Sequence, residues 1–225
     1  MAKTLALNFL KGILAGLSIG LGGFLFILFS FLLPGEGGKV LGSIFFAVGL
    51  FLVCTFSLSL YTGKIGQVFE EKKDLSFYLS LPVMLIGNAI GAIGLGYLCF
   101  ALFKDMDIMN TVHDAVNARV TLIDFNAYLS LMLRSFLCGF CVYMAVKLFS
   151  LNRLKPLGIL CLVFFVFLFV YCGFQHCIAN MFYFGFGNTF IPETFINLAL
   201  CILFNSFGPI LGIIVFKLAG NIAKK

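Results

Sequence analysis

The sequence is poor in charged residues, which make up only 11% of its 225 positions. Soluble domains carry roughly 25% charged residues, so this shortage excludes an ordinary soluble protein. Apolar residues take their place: 62% of the chain is hydrophobic, phenylalanine alone occurs 30 times, and the mean hydropathy is +1.12. This composition indicates an integral membrane protein.

Charged residues interrupt the apolar sequence so rarely that six stretches are long enough to cross a bilayer, which takes about 20 apolar residues each. Backbone polar groups cannot go unpaired in lipid, so we expect each stretch to be helical. The first stretch is too long for a removable signal peptide and is poor in small-residue cleavage sites. The whole chain, 1–225, is therefore predicted to be one all-α membrane domain with six transmembrane helices. The expected spans are 12–33, 40–62, 77–103, 127–149, 157–184 and 194–220.

Positive charge is scarce on one side of these spans. Six spans place both termini on the same side, and by the positive-inside rule the excess of Lys and Arg on that side makes both termini cytoplasmic. The net charge of +6 follows from this topology and gives no reason to expect nucleic acid as a partner. The terminal-side cations are Lys3, Lys11, Lys64, Lys72, Lys73, Lys147, Arg153, Lys155, Lys217, Lys224 and Lys225, and those of the other face are Lys39, Lys104, Arg119 and Arg134.

The sequence also lacks the cysteine spacing of a disulfide framework or a metal site. All eight cysteines fall inside the expected spans, where cysteine behaves as a small hydrophobe. Cys138 and Cys141 form a C-x-x-C pair on one helical face, but no second ligand pair lies near it. We therefore expect no disulfide, no metal and no cofactor. The cysteines are Cys54, Cys99, Cys138, Cys141, Cys161, Cys172, Cys177 and Cys201.

Histidine is rare, yet one of the two histidines lies inside an apolar stretch. His176 belongs to the segment 175–180, which reads QHCIAN within the apolar stretch 156–190. An ionisable side chain at the depth of the hydrocarbon core is costly and by default marks a substrate or proton pathway. A lone buried histidine can also be a satisfied packing residue, but that alternative is costly in a membrane. The segment therefore predicts that the protein moves a solute across the membrane.

The two halves of the chain, 1–103 and 127–225, look like copies of one another. Each half has a first span with glycine, a second span interrupted by polar residues, and a third span with asparagine and glycine. Because each half contains three spans, the second half enters the membrane from the opposite face. In such inverted repeats the site lies near the midplane, where the broken second and fifth helices meet. We therefore expect Thr62 and His176 to approach one another.

These features resemble the formate/nitrite transporter family, pentameric anion channels with an aquaporin-like inverted-repeat fold. The family's second span carries a motif close to Leu-Phe-Thr-Gly, matched by LYTG at 60–63. Its third span carries Gly-Asn-x-x-Gly, matched at 87–91, and its last span carries the same motif, matched in part at 205–208. Its fifth span carries Glu-His-x-x-Ala-Asn, matched at 175–180, and its fourth carries Arg-Gly-Ile-Leu-Cys-Asn, followed in part at 134–139. The matches occur in order and cover essentially the whole chain.

The resemblance implies a homopentamer in the cytoplasmic membrane of a prokaryote, surrounded by membrane lipid and with one pore through each protomer. Small monovalent anions such as formate, nitrite or hydrosulfide cross it together with a proton, while a central histidine polarises or protonates the anion. The pathway residues are His176, Thr62, Gln175, Asn180, Asn88 and Asn205. The pore constrictions are formed by Phe46, Leu50, Leu60 and Phe169, and the vestibule cations are Arg119 and Lys64.

Two positions depart from the family's motifs. Gln175 stands where the family usually has a glutamate before the histidine, so a negative charge is missing beside the ring. Gly139 stands where the family usually has an asparagine that hydrogen-bonds near the histidine. These departures leave the expected fold intact and bear on substrate choice and proton coupling.

Two other functions are alternatives to anion transport. A channel for a neutral solute such as water, glycerol or ammonia would share the fold and lack protonation chemistry. A membrane enzyme with Cys177 or Cys172 as nucleophile needs a base within hydrogen-bond reach, and neighbouring residues of a helix point to different faces. We therefore expect no enzyme. Formate, nitrite, hydrosulfide and lactate all remain candidate substrates, and both a channel and a proton-coupled carrier fit the sequence.

Overall fold

A computed structural model describes residues 1–70, 72–122, 124–151 and 155–222 of the chain, with side chains up to residue 219. This part of the chain contains helices and their connections and no β-strand. Three cations of the topology argument, Arg153, Lys224 and Lys225, lie outside the described residues.

The helices follow one another along the chain with short connections. They are α1 (Ala2–Leu32), α2 (Glu36–Thr55), α3 (Tyr61–Lys64), α4 (Gln67–Glu70), α5 (Leu75–Phe103), α6 (Ile108–Val120), α7 (Phe125–Leu151), α8 (Lys155–Tyr171), α9 (Cys177–Phe186), α10 (Pro192–Phe207) and α11 (Pro209–Ile222).

Five segments are long and apolar enough to cross a membrane: α1, α2, α5, α7 and the stretch Pro192–Ala219. Helices α8 and α9 are apolar but shorter. The structure differs from the expected spans first at the N-terminus, where helix α1 begins ten residues before the expected start at residue 12. The stretches 40–62 and 157–184, where the sequence predicts broken helices, each contain a non-helical segment.

The segment between α5 and α7 is a second difference, because we expected a loop there and the structure has helix α6. Its buried residues are Ile108, Met109, Val112 and Val116. They recur at intervals of three and four, which places them on one helical face. This face packs against α1, α9 and α10, so the helix is held by a narrow apolar stripe on an otherwise polar sequence.

The two halves of the structure pack in the same way. Helix α1 packs against α2 and α5, and helix α7 packs against α8 and α10. The halves are joined where α2 meets α8 and where α5 meets α9. The non-helical segments 56–60 and 172–176, called here the first and second breaks, therefore lie at the centre of the molecule.

Both breaks begin with the same turn. The N–H of Leu58 donates to the carbonyl of Val53 at 2.9 Å, and the N–H of Phe174 donates to the carbonyl of Phe169 at 2.8 Å. A bond of this span closes a Schellman motif, whose preceding residue takes a left-handed conformation. That residue has a φ of 50° in the first break (Ser57) and of 68° in the second (Gly173). The two turns are related by one offset along the chain, because Leu58 and Phe174 are 116 positions apart and so are Ser57 and Gly173.

Glu70 attaches the short helix α4 to α7. Its Oε1 accepts a hydrogen bond from Tyr143 Oη at 2.7 Å, and both carboxylate oxygens lie 3.0 Å from Lys147 Nζ. Burial alone would raise the pKa of Glu70. The hydrogen bonds from Tyr143 and Lys147, with the charges of Lys147 and Lys73, outweigh burial and hold the pKa below its usual value.

We expect Glu70→Gln to lower the thermal stability of the protein at neutral pH by a few degrees at most, because a partly exposed pair contributes about 1 kcal/mol or less. A lowered folded-state pKa stabilises the fold above the unfolded-state pKa, and this stabilisation is lost as pH falls through the folded-state pKa. Melting in detergent at several pH values should therefore show a difference from wild type that shrinks as the solution is acidified. The control is Asp114→Asn at an exposed position of α6. If the melting temperatures of Glu70→Gln and wild type differ by the same amount at every pH, the stabilising role of the ionised Glu70 is contradicted.

Candidate functional site

The centre of the molecule holds one histidine and one threonine in direct contact. His176 is the N-cap of α9, and its Nδ1 accepts a hydrogen bond from the Ala179 N–H at 3.2 Å. Its Nε2 lies 2.9 Å from Oγ1 of Thr62, the second residue of α3. Both side chains are buried. The structure thus brings together Thr62 and His176, the two residues that the sequence analysis expects to approach one another.

Asn88 holds the first break in place. Its Oδ1 accepts a hydrogen bond from the Tyr61 N–H at 2.8 Å, and its Nδ2 donates to the carbonyls of Gly12 at 2.8 Å and Ser59 at 2.9 Å. These bonds join the start of α3 to α1 and α5. Because a buried amide must be hydrogen-bonded, Asn88 both satisfies the break and positions Thr62.

Asn205 does the same for the second break. Its Oδ1 accepts from the Cys177 N–H at 2.9 Å, and its Nδ2 donates to the carbonyls of Ser135 at 2.7 Å and Gln175 at 2.8 Å. The start of α9, and with it His176, is thereby joined to α7 and α10. In both halves, the amide group of the asparagine is occupied by backbone.

Each asparagine is also approached closely by a glycine of the facing helix. A Cβ on Gly16 would lie 2.1 Å from the carbonyl oxygen of Asn88, and one on Gly139 would lie 2.2 Å from that of Asn205. Real Cβ atoms do not come this close to backbone atoms. Gly16 and Gly139 therefore allow α1 to pack on α5 and α7 on α10.

A cavity of about 210 Å³ opens on one side of His176 and is called here the Arg119 cavity. The ring of His176 lies at it together with two apolar rings, those of Phe46 and Phe169, which meet edge to face with centroids 5.7 Å apart. Three cations line it, and none of the lining residues is Asp or Glu in the part of the chain that the structure describes. The cations are Arg119, Arg134 and Lys39.

The Arg119 guanidinium is held by neutral groups. Its Nε donates to Asn180 Oδ1 at 2.9 Å, a further nitrogen contacts the Ala115 carbonyl, and the group lies 4.1 Å from the centre of the Tyr183 ring. Burial lowers the pKa of Arg119, but a guanidinium titrates so far above neutrality that it stays charged. The cavity therefore carries a fixed positive charge.

Asn180 connects Arg119 to Gln175. Its Nδ2 donates to Gln175 Oε1 and to Asn197 Oδ1, each at 2.9 Å. The side chain of Gln175 thus faces Asn180, and among the described residues its bonds do not include the imidazole ring. Asn197 also donates to the Arg119 carbonyl at 2.9 Å. This chain of amides joins α6, α9 and α10 around the cavity.

A second cavity, of about 140 Å³, lies on the other side of the site and is called here the Lys64 cavity. It is lined by Leu60, by Gly63 and Lys64 of α3, and by Val146 of α7. Leu50 is buried and lines neither cavity. Two openings that each carry positive charge are thus separated by large apolar side chains and by the contact of His176 with Thr62.

The matching family gives this arrangement a context. A model of the formate/nitrite transporter family matches residues 1–223. The chain belongs to the formate/nitrite transporter family. It is therefore a multi-pass membrane protein of a family of transporters, and not of a family of enzymes. No curated protein sequence matches the chain significantly.

Solved structures share the fold over nearly the whole length. A pentameric formate channel with formate bound is 22% identical, with a TM-score of 0.77 and coverage of 99% of both chains. An ion channel of the same family is 19% identical, with a TM-score of 0.81 and coverage of 97% of this chain and 96% of the other. At these identities the likeness shows a common channel fold.

Three residues at the site of this formate/nitrite transporter family member were not expected from its sequence motifs. Lys39 and Arg134 line the Arg119 cavity, and Asn197 completes its amide chain. Asn197 could have been found, because it is a polar residue in an apolar span, eight positions before Asn205. Cys172 differs from our expectation, since it is exposed and lies in the second break.

Proposed function

We propose that the protein transports small monovalent anions, together with a proton, across the cytoplasmic membrane of a prokaryote, with both termini cytoplasmic. The observation that carries the proposal is the contact of His176 with Thr62 between two cation-lined cavities. Formate is the first substrate to test, because the pentameric channel that shares the fold has formate bound.

The path joins the two cavities through the protomer. An anion enters the Arg119 cavity, passes the rings of Phe46 and Phe169, reaches His176 and Thr62, and leaves past Leu60 into the Lys64 cavity. Cations in a cleft raise the local concentration of an anion, and the apolar rings disfavour hydrated ions because desolvating a charge is costly. Polarisation of the anion at the histidine and its neutralisation by a proton remove most of that cost.

Charge favours an anion over a neutral solute. The family's usual glutamate is Gln175 here, so the carboxylate that could balance Arg119 is replaced by a neutral amide. An uncompensated guanidinium raises the local concentration of an anion in the cavity. It gives no such advantage to a channel for a neutral solute.

We also propose that the protein crosses the membrane six times. In this topology α2 with α3, and α8 with α9, form the broken second and fifth spans, and the inverted repeats are 1–103 and 127–225. The support is that the two breaks have the same local structure. Each begins with the same type of turn, and in each an asparagine accepts a hydrogen bond from the first N–H of the following helix, α3 or α9.

Assembly as a homopentamer, with one pore in each protomer, is part of the same proposal. The pentameric formate channel shares the fold. The outer surface of α1 carries exposed leucines suited to lipid or to a neighbouring protomer. These are Leu7, Leu10, Leu14, Leu17 and Leu21.

We expect Arg119→Met to weaken formate uptake at low concentration by about tenfold, because one charge of an anion-attracting cleft is removed. Uptake into vesicles should recover at high formate concentration, and its dependence on salt should become weaker. Arg119→Lys restores the charge and should restore most of the uptake. Lys104→Met, at the exposed C-cap of α5, is the control for loss of a distant charge. Equal loss in Arg119→Met and Lys104→Met would contradict a local role.

A further inference from the structure

A third cavity, of about 170 Å³, lies between the end of α6 and the first half of α7 and is called here the Ser130 cavity. One wall is a single face of α7, because its residues are spaced by three, four or seven positions. These residues are Ala127, Ser130, Leu131 and Arg134. The other wall is the end of α6 with the residues that follow it, and the inner end is formed by Gln175 and Asn197.

The Ser130 cavity lies beside the proposed anion path and not on it. Neither the apolar rings nor the histidine of that path line it. Arg119 and Arg134, however, line both this cavity and the Arg119 cavity. An ion in the Ser130 cavity therefore shares two guanidinium groups with an ion in the Arg119 cavity.

The lining of the Ser130 cavity carries two positive charges and, within the part of the chain that the structure describes, no negative one. Asp124, just before α7, is not part of the lining, and its Oδ1 accepts a hydrogen bond from the Ala127 N–H at 2.8 Å. The family's usual glutamate at position 175 would add a carboxylate, but this chain has Gln175. The charge of the two arginines is thus uncompensated.

Several donors at this cavity also lack a protein partner. The Arg134 guanidinium and the Ser130 hydroxyl make no hydrogen bond or ion pair to any described residue. In Arg119, Nε and Nη1 are hydrogen-bonded, whereas Nη2 has no partner among the same residues. Free donors that line a cavity without acids complement a bound anion, and those of a guanidinium bind it strongly.

We propose that the Ser130 cavity is a second anion site, which binds a free tetrahedral oxyanion such as sulfate or phosphate from the extracytoplasmic side. The forked guanidinium of Arg134 binds two oxygens of one central atom, the Ser130 hydroxyl binds a third, and the two arginines balance two negative charges. The volume suits an ion of this size, since pockets for organic ligands measure about 300 Å³ or more. The end of α6, which is not one of the apolar spans, forms one wall and gives access from water.

Binding in the Ser130 cavity lowers the affinity of the Arg119 cavity for its own anion, because the two anions lie against the same guanidinium groups and repel one another. The coupling is reciprocal. This effect rests on the proposed function, whereas the oxyanion site itself does not. We expect saturating sulfate to raise the formate concentration for half-maximal uptake about fivefold.

Sulfate binding can be measured without transport. Purified protein in detergent, freed of lipid, is dialysed against radiolabelled sulfate, and we expect saturable binding in the millimolar range that inorganic phosphate displaces. Short-chain phosphatidylglycerol tests the other source of the same chemistry, a lipid headgroup. Absence of saturable sulfate binding, or displacement by this lipid at lower concentrations than by phosphate, would overturn the proposal.

Ser130→Glu fills the site from within, because its carboxylate pairs with Arg134 four residues later on the same helical face. We expect it to weaken sulfate binding about tenfold or more, and Arg134→Met should do the same. Asn126→Glu is the matched control, because it adds a carboxylate at an exposed position of α7 that does not line the cavity. It should bind sulfate as wild type does. Equal sulfate binding by Ser130→Glu and Asn126→Glu would overturn the assignment of the site.

Formate uptake into vesicles tests the coupling between the two cavities. Sulfate should inhibit uptake at low formate concentration and not at high, whereas sodium chloride at the same ionic strength, which screens charge, should inhibit less. Ser130→Glu should lose the inhibition by sulfate, and Asn126→Glu should keep it. Equal inhibition by both salts would overturn the coupling. If the wild-type protein carries no formate, the proposed function fails, and the dialysis still decides whether the Ser130 cavity binds sulfate.

Discussion

His176→Phe should abolish proton-linked formate flux while leaving the protein folded. Phenylalanine fills nearly the same space between Phe169 and Thr62 but has no nitrogen to accept from the Ala179 N–H or to hydrogen-bond to Thr62. Loss of a preorganised donor that acts on charge typically slows a reaction about 10²–10³-fold, and we expect an effect of this size on flux. The measurement is formate uptake into vesicles at matched protein content.

Two variants make this result interpretable. His113→Phe, on the exposed surface of α6, controls for loss of a histidine outside the site and should transport as wild type. His176→Gln provides a neutral amide that can still hydrogen-bond to Thr62, and we expect it to retain part of the flux. Flux in His176→Phe at the wild-type rate would show that the imidazole has no part in transport.

Gly139→Asn should prevent folding, although asparagine is the residue usual at this position in the family. A Cβ at Gly139 would lie 2.2 Å from the Asn205 carbonyl oxygen and 2.9 Å from two further backbone atoms of Asn205. Backbone cannot move aside like a flexible side chain, so α10 would have to separate from α7. Such overpacking costs about 3 kcal/mol or more, and it also disturbs the bonds that hold the second break. The measurement is the yield of folded oligomer after gel filtration in detergent.

The matched control is Gly94→Asn in α5, where an added Cβ meets nothing within 4 Å. We expect this variant to be recovered at the wild-type yield. Gly139→Ala should already lose most of the folded protein, since the clash begins at Cβ. A folded Gly139→Asn protein with wild-type stability would mean that α7 and α10 are not packed at this distance.

The long helices could be predicted from the sequence because lipid-sized apolar runs are distinctive. The ends of α2 and α8 could not, because apolar residues continue into both breaks. Ser57 and Gly173 turn the chain there in a left-handed conformation, which hydropathy does not register. Helix α6 was missed for the opposite reason, since only one narrow face of it is apolar.

For the site, the matching positions of Thr62 and His176 in the two sequence repeats were enough to predict that these residues approach one another. The family resemblance assigned Asn88 and Asn205 to the pathway, and the structure shows that their amides hydrogen-bond to the backbone of the breaks. Lys39 could not be assigned to a cavity from sequence, because its direction depends on how α2 is rotated about its axis. The partner of Gln175 was equally hidden, since residue 175 is next to His176 in sequence but hydrogen-bonded to Asn180 in space.

Formate uptake into vesicles under an imposed pH gradient tests the central proposal, anion transport linked to a proton, most directly. The purified protein, His176→Phe and protein-free lipid are compared at the same formate concentration, with glycerol as the neutral solute. We expect the wild-type protein to take up formate faster when the vesicle interior is alkaline, to exceed both controls, and to leave glycerol flux at the level of the lipid. Formate uptake that ignores the gradient, with glycerol flux above that of the lipid, would contradict the proposal and identify a neutral-solute channel.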